Sequence, residues 1–256
     1  MGKIIAVVNQ KGGVGKTTTA VNLSCALCEA GTRTLLTDFD PQGNATSGMG
    51  VDKNVAPTVY EALVGTVTAE RAVVLTRYGG ALLPANKSLS GAEIELVSVP
   101  NREYLLKQAL ETLRHAYDFI LIDCPPSLGL LTLNALCAAD TVLVPVQCEY
   151  YALEGLSDLM YTIRLVRTRL NPTLDLEGVL LTMFDGRTNL SPQVAAEVKR
   201  FFPGKLYATV IPRNVRLSEA PSHGMPVQHY DRASRGADSY SALAREVISK
   251  NRGAGR

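Results

Sequence analysis

A glycine-rich loop with two lysines constrains the fold more than any other feature of this 256-residue chain. The segment runs Asn9-Gln10-Lys11-Gly12-Gly13-Val14-Gly15-Lys16-Thr17-Thr18, between the apolar run Ile4–Val8 and a stretch of helical period. Its glycines let backbone N–H groups face inward where no Cβ blocks a phosphate. The following helix points the positive end of its dipole at the same place. This order predicts a phosphate-binding loop between a strand and a helix.

Each polar residue of the loop has an expected role. Lys16 is placed to reach the β- and γ-phosphates of a nucleotide, and the Thr17 hydroxyl to coordinate magnesium. The predicted nucleotide contacts of the loop are Lys11, Gly12, Gly13, Val14, Gly15, Lys16, Thr17 and Thr18. A glycine-rich surface turn is the alternative, but a nearly complete motif in its required structural context is far more specific.

The rest of the chain alternates between apolar strands and helices of amphipathic period. Predicted strands are Ile4–Val8, Leu35–Thr37, Leu82–Pro84, Phe119–Asp123, Thr141–Val146, Gly178–Met183 and Leu206–Ile211. Predicted helices are Thr18–Ala30, Val59–Val64, Ala92–Val97, Arg102–Ala116, Leu130–Ala138, Leu153–Leu170, Pro192–Phe202 and Asp238–Lys250. This alternation predicts one α/β domain over residues 1–256, with a mostly parallel twisted sheet of about seven or eight strands covered by helices on both faces.

Three carboxylates follow predicted strands. Asp38 and Asp40 end the second strand, and Asp123 ends the strand Phe119–Asp123. The carboxyl edge of a parallel sheet is where ligands bind, so these acids are expected beside the glycine loop. We assign Asp123 and Thr17 to binding magnesium, and Asp38 to the outer coordination shell of that ion. We assign Asp40 to orienting the water that attacks the terminal phosphate of the nucleotide.

The loop form Lys-Gly-Gly-x-Gly-Lys-Thr resembles the deviant Walker A motif of the ParA/MinD family, and Gln10 stands where the strict motif has glycine. The chain is also similar to the ParA/Soj type of chromosome-partitioning ATPase in its switch I and switch II segments. Asp38–Asn44 matches switch I and Asp123–Ser127 matches switch II, and two further matching segments are Pro145–Gly155 and Val210–Ser222. The resemblance implies an ATP-dependent homodimer in which Lys11 crosses to the partner's nucleotide, with Lys11, Lys16 and Asp40 as the catalytic set.

The resemblance also implies partners. It places adenine recognition at Met183, Pro212 and Asn214, and non-specific binding of double-stranded DNA at Arg187, Arg213 and Arg216, with Lys199, Arg200 and Lys205 as additional contacts. A ParB-like centromere-binding protein is expected to stimulate ATP hydrolysis. Independently, residues 197–256 carry 11 Lys and Arg against 5 Asp and Glu, a balance of +6 that suits an anionic partner.

Composition limits the alternatives. Five cysteines without regular spacing indicate a reducing compartment, and no apolar run approaches the roughly 18 residues of a membrane span, so we expect a cytoplasmic, nucleoid-associated protein. A metal or redox reading of Cys25-x-x-Cys28 competes with ordinary packing inside a helix.

Two further functions share the lysine-bearing loop. A MinD-like membrane-associated positioning ATPase needs an amphipathic C-terminal helix, whereas the tail Asn251–Arg256 is polar. A reductase of the nitrogenase iron-protein type needs cluster ligands in glycine-rich contexts, and Cys124, Cys137 and Cys148 do not lie in such contexts.

Overall fold

The computed structural model describes residues 1–149 and 152–252, and it contains one seven-stranded sheet. The strands are β1 Lys3–Val7, β2 Thr34–Asp38, β3 Val74–Leu75, β4 Ala81–Leu83, β5 Phe119–Asp123, β6 Thr141–Gln147 and β7 Asp175–Thr182. Their order across the sheet is β3-β4-β2-β5-β1-β6-β7. The edge pair β3–β4 is antiparallel and the other described pairs are parallel, which confirms the predicted sheet.

Helices cover this sheet. They are α1 Lys16–Glu29, α2 Asn44–Gly48, α3 Val59–Leu63, α4 Ala69–Ala72, α5 Leu89–Glu95, α6 Leu105–Glu111, α7 Leu130–Ala138, α8 Ala152–Arg169, α9 Leu190–Phe201, α10 Val215–Glu219, α11 Val227–Tyr230 and α12 Arg235–Arg252. Short 3-10 turns lie at Leu96–Ser98, Arg102–Tyr104 and Ala220–His223.

The core has two apolar layers because successive side chains of a strand point to opposite faces of the sheet. In β1, Ile4 packs in one layer and Ile5 in the other. The Ile4 layer includes buried residues of α6, α7 and α8, and the Ile5 layer includes buried residues of α1 and α12. Both layers share the same sheet, so the chain forms a single α/β domain.

One predicted strand is wrong. Leu206–Ile211 makes only an isolated bridge, between Leu206 and Val179 of β7, and Pro212 makes another with Phe184. The segment stays along β7, because the N–H groups of Tyr207 and Ile211 donate to the carbonyls of Val179 and Leu181 at 3.0 and 2.9 Å. Between these bonds the N–H groups of Ala208 and Thr209 donate to the Glu246 carboxylate of α12, at 2.9 and 3.0 Å, and this interrupts the regular strand pairing.

Several boundaries also differ. Helix α1 begins at Lys16 instead of Thr18, and the predicted helix Arg102–Ala116 is a 3-10 turn followed by the shorter α6. Helix α12 extends beyond both ends of the predicted helix Asp238–Lys250. The elements β3, α2, α4, α10 and α11 were not predicted, and each has only two to five residues, too few to show a period.

Candidate nucleotide and magnesium site

The glycine loop lies at the carboxyl edge of the sheet and is tied to the ends of neighbouring strands. Asn9 Nδ2 donates to the carbonyl oxygen of Pro145 in β6 at 2.7 Å, and Asn9 Oδ1 accepts from the N–H of Lys11 at 3.0 Å. On the far side, Thr182 Oγ1 at the end of β7 donates to the Val14 carbonyl at 2.8 Å. The side chains of Asn9 and Thr182 therefore hold the loop in its conformation.

The glycines give the loop its shape. Gly13 and Gly15 have φ of 75° and 89°, in the left-handed region where a side chain is strained. A Cβ built at Gly12 or Gly13 would meet no heavy atom within 4 Å, so this side of the loop is open. The left-handed glycines, this open side and the adjacent first turn of α1 make the loop suited to a phosphate.

The two loop lysines differ in their surroundings. Lys16 is 7% exposed, and its Nζ donates to the Lys11 carbonyl at 3.0 Å. Burial lowers the pKa of Lys16, and the nearby Asp123 opposes that shift. Lys11 instead forms an ion pair with Glu149, whose Oε2 lies 3.0 Å from its Nζ. Only Lys16 is held inside the loop.

Asp38 and Asp123 stand side by side at the ends of the paired strands β2 and β5, and both are fully buried. Asp38 Oδ2 accepts from the N–H and the hydroxyl of Thr46, each at 2.7 Å, while Oδ1 accepts from the Asp40 N–H at 3.2 Å. Burial raises the pKa of Asp38 to about 6. Its oxygens already have donors, which suits a role outside the first coordination shell of a metal.

Asp123 has the opposite arrangement. Among the described residues, neither of its buried oxygens has a hydrogen-bond partner of standard geometry. Burial and the charge of Asp38 raise the pKa of Asp123 well above its ordinary value, and Thr17 and Lys16 counter part of this shift. A buried carboxylate needs a compensating cation, and carboxylate and hydroxyl oxygens are what magnesium prefers. Asp123 and Thr17 therefore fit magnesium.

Asp40 lies in the loop after β2 and is 8% exposed. Its Oδ1 accepts from the Gln42 N–H at 2.9 Å, closing a turn of the kind aspartate favours. Lys53 Nζ donates to the Gln42 carbonyl at 2.7 Å and thereby holds the same loop. The loop presents Asp40 at the same sheet edge as Asp38 and Asp123.

Thr46 and Glu149 are site residues that sequence reasoning missed. The Thr46 hydroxyl donates to Asp38 and accepts from the Ala85 N–H at 2.9 Å, which joins the Asp40 loop to the end of β4. No local pattern marks Thr46, since it lies in the unpredicted helix α2. Glu149 belongs to the segment Pro145–Gly155 that carried the resemblance, and a charge opposite Lys11 was the available signal.

A cavity of about 590 Å³ adjoins the loop. Its lining includes the three residues expected to contact adenine, which are Met183, Pro212 and Asn214. Gly15, Thr18 and Tyr240 also line it. Met183 has φ of 50°, a strained backbone conformation of the kind that concentrates at binding sites. Tyr240 was missed; its hydroxyl lies 3.2 Å from Thr19 Oγ1 and links α12 to α1.

Two of the three arginines expected to bind DNA form ion pairs with carboxylates of the same chain. Arg187 and Arg213 line a cavity of about 540 Å³ together with Arg235, which sequence reasoning missed. Arg187 is paired with Asp185 at 2.7 Å and holds the pKa of that carboxyl down to about 2. Arg216 is paired with Glu219 at 2.9 Å and with Asp231 at 3.1 Å.

Among the additional basic residues, Lys205 is misplaced for this surface. Its Nζ lies 2.9 Å from Asp175, the first residue of β7, whereas Arg187 follows the last residue of that strand. The amino end of β7 lies at the opposite side of the sheet from its carboxyl end. The structure therefore argues against grouping Lys205 with Arg187. Lys199 and Arg200 lie in the last turn of α9, where Arg200 pairs with Glu197.

Comparison with known proteins identifies the family. A family model described as an AAA domain matches residues 2–176. The chain is 60% identical over 249 residues to the sporulation initiation inhibitor protein Soj of Bacillus subtilis, covering 96% of this chain and 98% of that protein. It is 55% identical to the chromosome partitioning protein ParA of Myxococcus xanthus, covering 98% and 89%. The chain belongs to the ParA/Soj family.

Solved structures agree with the ParA/Soj fold. The chain superposes on cobyrinic acid a,c-diamide synthase from Mycobacterium smegmatis with a TM-score of 0.88 and 42% identity, over 100% of this chain and 97% of that one. That protein was crystallised with ADP and magnesium. Within the described parts of this ParA/Soj chain, no helix is long and apolar enough to cross a membrane.

Proposed function

We propose that this chain is an ATP-dependent dimerising ATPase of DNA partitioning. The ATP-bound dimer binds DNA without sequence preference, and it is released when a ParB-like partner stimulates hydrolysis. One observation carries the nucleotide part of the proposal: the buried carboxylate of Asp123, which has no hydrogen bond of standard geometry among the described residues, lies beside Lys16 and the phosphate-binding loop. Such an arrangement is costly unless a metal and phosphates complete it.

Magnesium would be held by Thr17 and Asp123, with Asp38 in its outer shell. When bound, magnesium neutralises charge on the β- and γ-phosphates. The residues of the chain supply the rest: Lys16 binds the phosphates, the loop amides cradle them, and Asp40 orients the attacking water. The partner subunit's Lys11 adds positive charge at the transferred phosphoryl group, where electrostatic stabilisation is most effective.

The adenine of ATP would occupy the cavity lined by Met183, Pro212 and Asn214. The Asn214 side chain is itself fixed, because its Oδ1 accepts from the Arg216 N–H at 2.9 Å and caps α10. Nucleotide contact at Asn214 is therefore next to one proposed DNA contact, Arg216. This adjacency supports coupling between ATP binding and DNA binding.

Phosphate contacts from arginine explain the proposed DNA binding. Arg187, Arg213 and Arg216 lie on the exposed segments that flank the nucleotide cavity, and Arg235 adds a fourth guanidinium beside the first two. Contacts of this kind position a protein on DNA without reading its sequence. We place this DNA binding in the cytoplasm at the nucleoid, and the Myxococcus relative's name, a chromosome partitioning protein, supports a role on chromosomal DNA.

The role of Asp40 tests the enzymatic proposal. In Asp40→Ala we expect ATP and magnesium still to produce dimers, but these should persist because the attacking water is no longer oriented. The measurement is sedimentation velocity after ATP addition, with released phosphate followed in parallel. The matched control is Asp52→Ala, which removes an aspartate whose Oδ1 likewise caps a turn, at the Asn54 N–H. If Asp40→Ala dimers dissociate as fast as wild type, the assignment of Asp40 is wrong.

A further inference from the structure

The Cys25-x-x-Cys28 motif is not used by the proposed function, and the structure brings other ligand types to it. Cys25 and Glu29 lie one turn apart on α1, and His229 of α11 approaches the same place. The Cys25 Sγ, a Glu29 carboxylate oxygen and a His229 ring nitrogen all lie within 4.8 Å of one another. We propose that Cys25, Glu29 and His229 bind a thiophilic divalent cation, Zn²⁺ in particular. This inference does not depend on the ATPase proposal.

The donor set suits zinc. Thiolate, imidazole and carboxylate are its three usual protein ligands, and a site with three of them leaves a fourth position for water. Tetrahedral zinc needs ligand atoms about 3.3 to 3.8 Å apart, as its bond lengths of about 2.0 to 2.3 Å require. Glu29 and His229 are exposed and can close the remaining distance by rotating their side chains, while Cys25 stays buried in the core.

The backbone that carries His229 is already anchored to α1. The Val227 N–H donates to Asn22 Oδ1 at 2.7 Å, and Gln228 Nε2 donates to the Asn22 carbonyl at 3.0 Å. The His229 ring packs against Tyr78, with centroids 4.8 Å apart. Binding a cation would therefore require rotation of side chains but no rearrangement of the backbone that carries them, which keeps the ordering cost small.

The location also favours positive charge. Glu29 is the last residue of α1, whose carbonyl groups give that end a partial negative charge. Burial and the Glu29 carboxylate raise the pKa of Cys25 to about 12, so a cation must displace the thiol proton.

Cys28 is the internal comparison. It lies on the same helix, but its thiol hydrogen-bonds to Thr34 and lies against Gly80, and it does not belong to the group of three ligand atoms at Cys25, Glu29 and His229. His223 is a second comparison, since it is exposed, lies in the same region of the chain and stacks on Tyr230 instead. The proposal predicts that neither residue is needed.

The test is a Co²⁺ titration of nucleotide-free protein stripped of metal, followed by the thiolate-to-cobalt charge-transfer band and reversed by Zn²⁺. Wild type should bind one ion per chain with this band. Cys25→Ser should lose the band, and His229→Gln should weaken binding at least about tenfold. Cys28→Ser and His223→Gln should titrate like wild type.

Three results would overturn the proposal: no band in wild type, an unchanged titration in His229→Gln, or a band that depends on Cys28 instead of Cys25. If Cys25→Ser fails to fold, His229→Gln decides alone, because His229 is exposed and its replacement leaves the core intact.

Discussion

Lys11 Nζ lies 3.0 Å from Glu149 Oε2 of the same chain, and the other Glu149 oxygen accepts from Gln147 Nε2. In the proposed mechanism Lys11 reaches the nucleotide of a partner subunit instead. The Lys11–Glu149 ion pair must then break in each of the two subunits that join. The isolated subunit therefore holds its crossing lysine in a competing contact.

Removing this contact should favour the ATP-bound dimer. The two side chains are 40% and 46% exposed, so each pair is worth a few tenths of a kcal/mol to about 1 kcal/mol. Two pairs break per dimer, so Glu149→Gln should lower the dimer dissociation constant by about fivefold. Sedimentation equilibrium with a non-hydrolysable ATP analogue measures it. Asp118→Asn, which breaks the exposed Arg33–Asp118 pair, should have no effect; a weaker Glu149→Gln dimer would refute the competing contact.

Asp123→Asn should stabilise the protein without nucleotide while abolishing hydrolysis. Because the pKa of Asp123 is raised in the folded state, the folded chain binds this proton more tightly than the unfolded chain. Stability is therefore lost as pH rises from the ordinary value of 3.8 through the folded-state pKa. Asparagine avoids that loss.

Urea unfolding without magnesium checks this prediction. We expect Asp123→Asn to gain more than about 1 kcal/mol at about pH 7 and almost nothing at about pH 4. A variant less stable than wild type at neutral pH would mean that Asp123 is a stabilising partner of Lys16, contrary to our interpretation.

Thr46→Val should destabilise the protein by about 1 to 3 kcal/mol, because it leaves the Ala85 N–H and one Asp38 oxygen short of a buried hydrogen bond. Thr46→Ser keeps the hydroxyl and should cost much less. Chemical denaturation of both variants separates the hydrogen bond from the lost methyl group. Equal losses would show that packing, and not the Asp38–Thr46–Ala85 connection, dominates.

Gly178 and Gly155 form a matched pair for packing. A Cβ on Gly178 would lie 2.6 Å from a Tyr207 ring carbon and 2.9 Å from the Lys205 carbonyl oxygen, so Gly178→Ala should cost about 1 to 3 kcal/mol. A Cβ on Gly155 in α8 meets nothing within 4 Å, and Gly155→Ala should gain up to about 1 kcal/mol from helix propensity. Thermal unfolding of both variants distinguishes the two outcomes.

The loop and the strands that frame it could be predicted because their signals are local. The spacing of Gly12 to Thr17 and the apolar run before Asp123 each fit within about ten residues, and both contain the information that the chemistry requires. Asp38 and Asp40 could be predicted for a similar reason. They directly follow a predicted strand, which places them at the carboxyl edge of a parallel sheet.

The predictions that were wrong or incomplete concern features set by contacts between residues that a local sequence pattern does not relate. The segment Leu206–Ile211 has the composition of a strand, but Glu246 takes two of its N–H groups. The ion pairs of Arg187 and Arg216 could not be predicted from charge counts, because a count does not show that Asp185 lies beside Arg187 or that Glu219 and Asp231 lie beside Arg216. Predicted charge on a surface is therefore larger than the charge left free to bind DNA.

The most direct test of the account is binding of a random-sequence DNA duplex, measured by fluorescence anisotropy with ATP, with ADP and without nucleotide, at two salt concentrations. Wild type should bind only with ATP, with a log–log salt slope of about −0.9 per phosphate contacted. Arg187→Glu, at a side chain 88% exposed, should abolish binding, whereas Arg71→Glu on α4, next to the opposite edge strand, should not. Binding that ignores the nucleotide, or no binding in any state, would contradict the proposed partitioning switch.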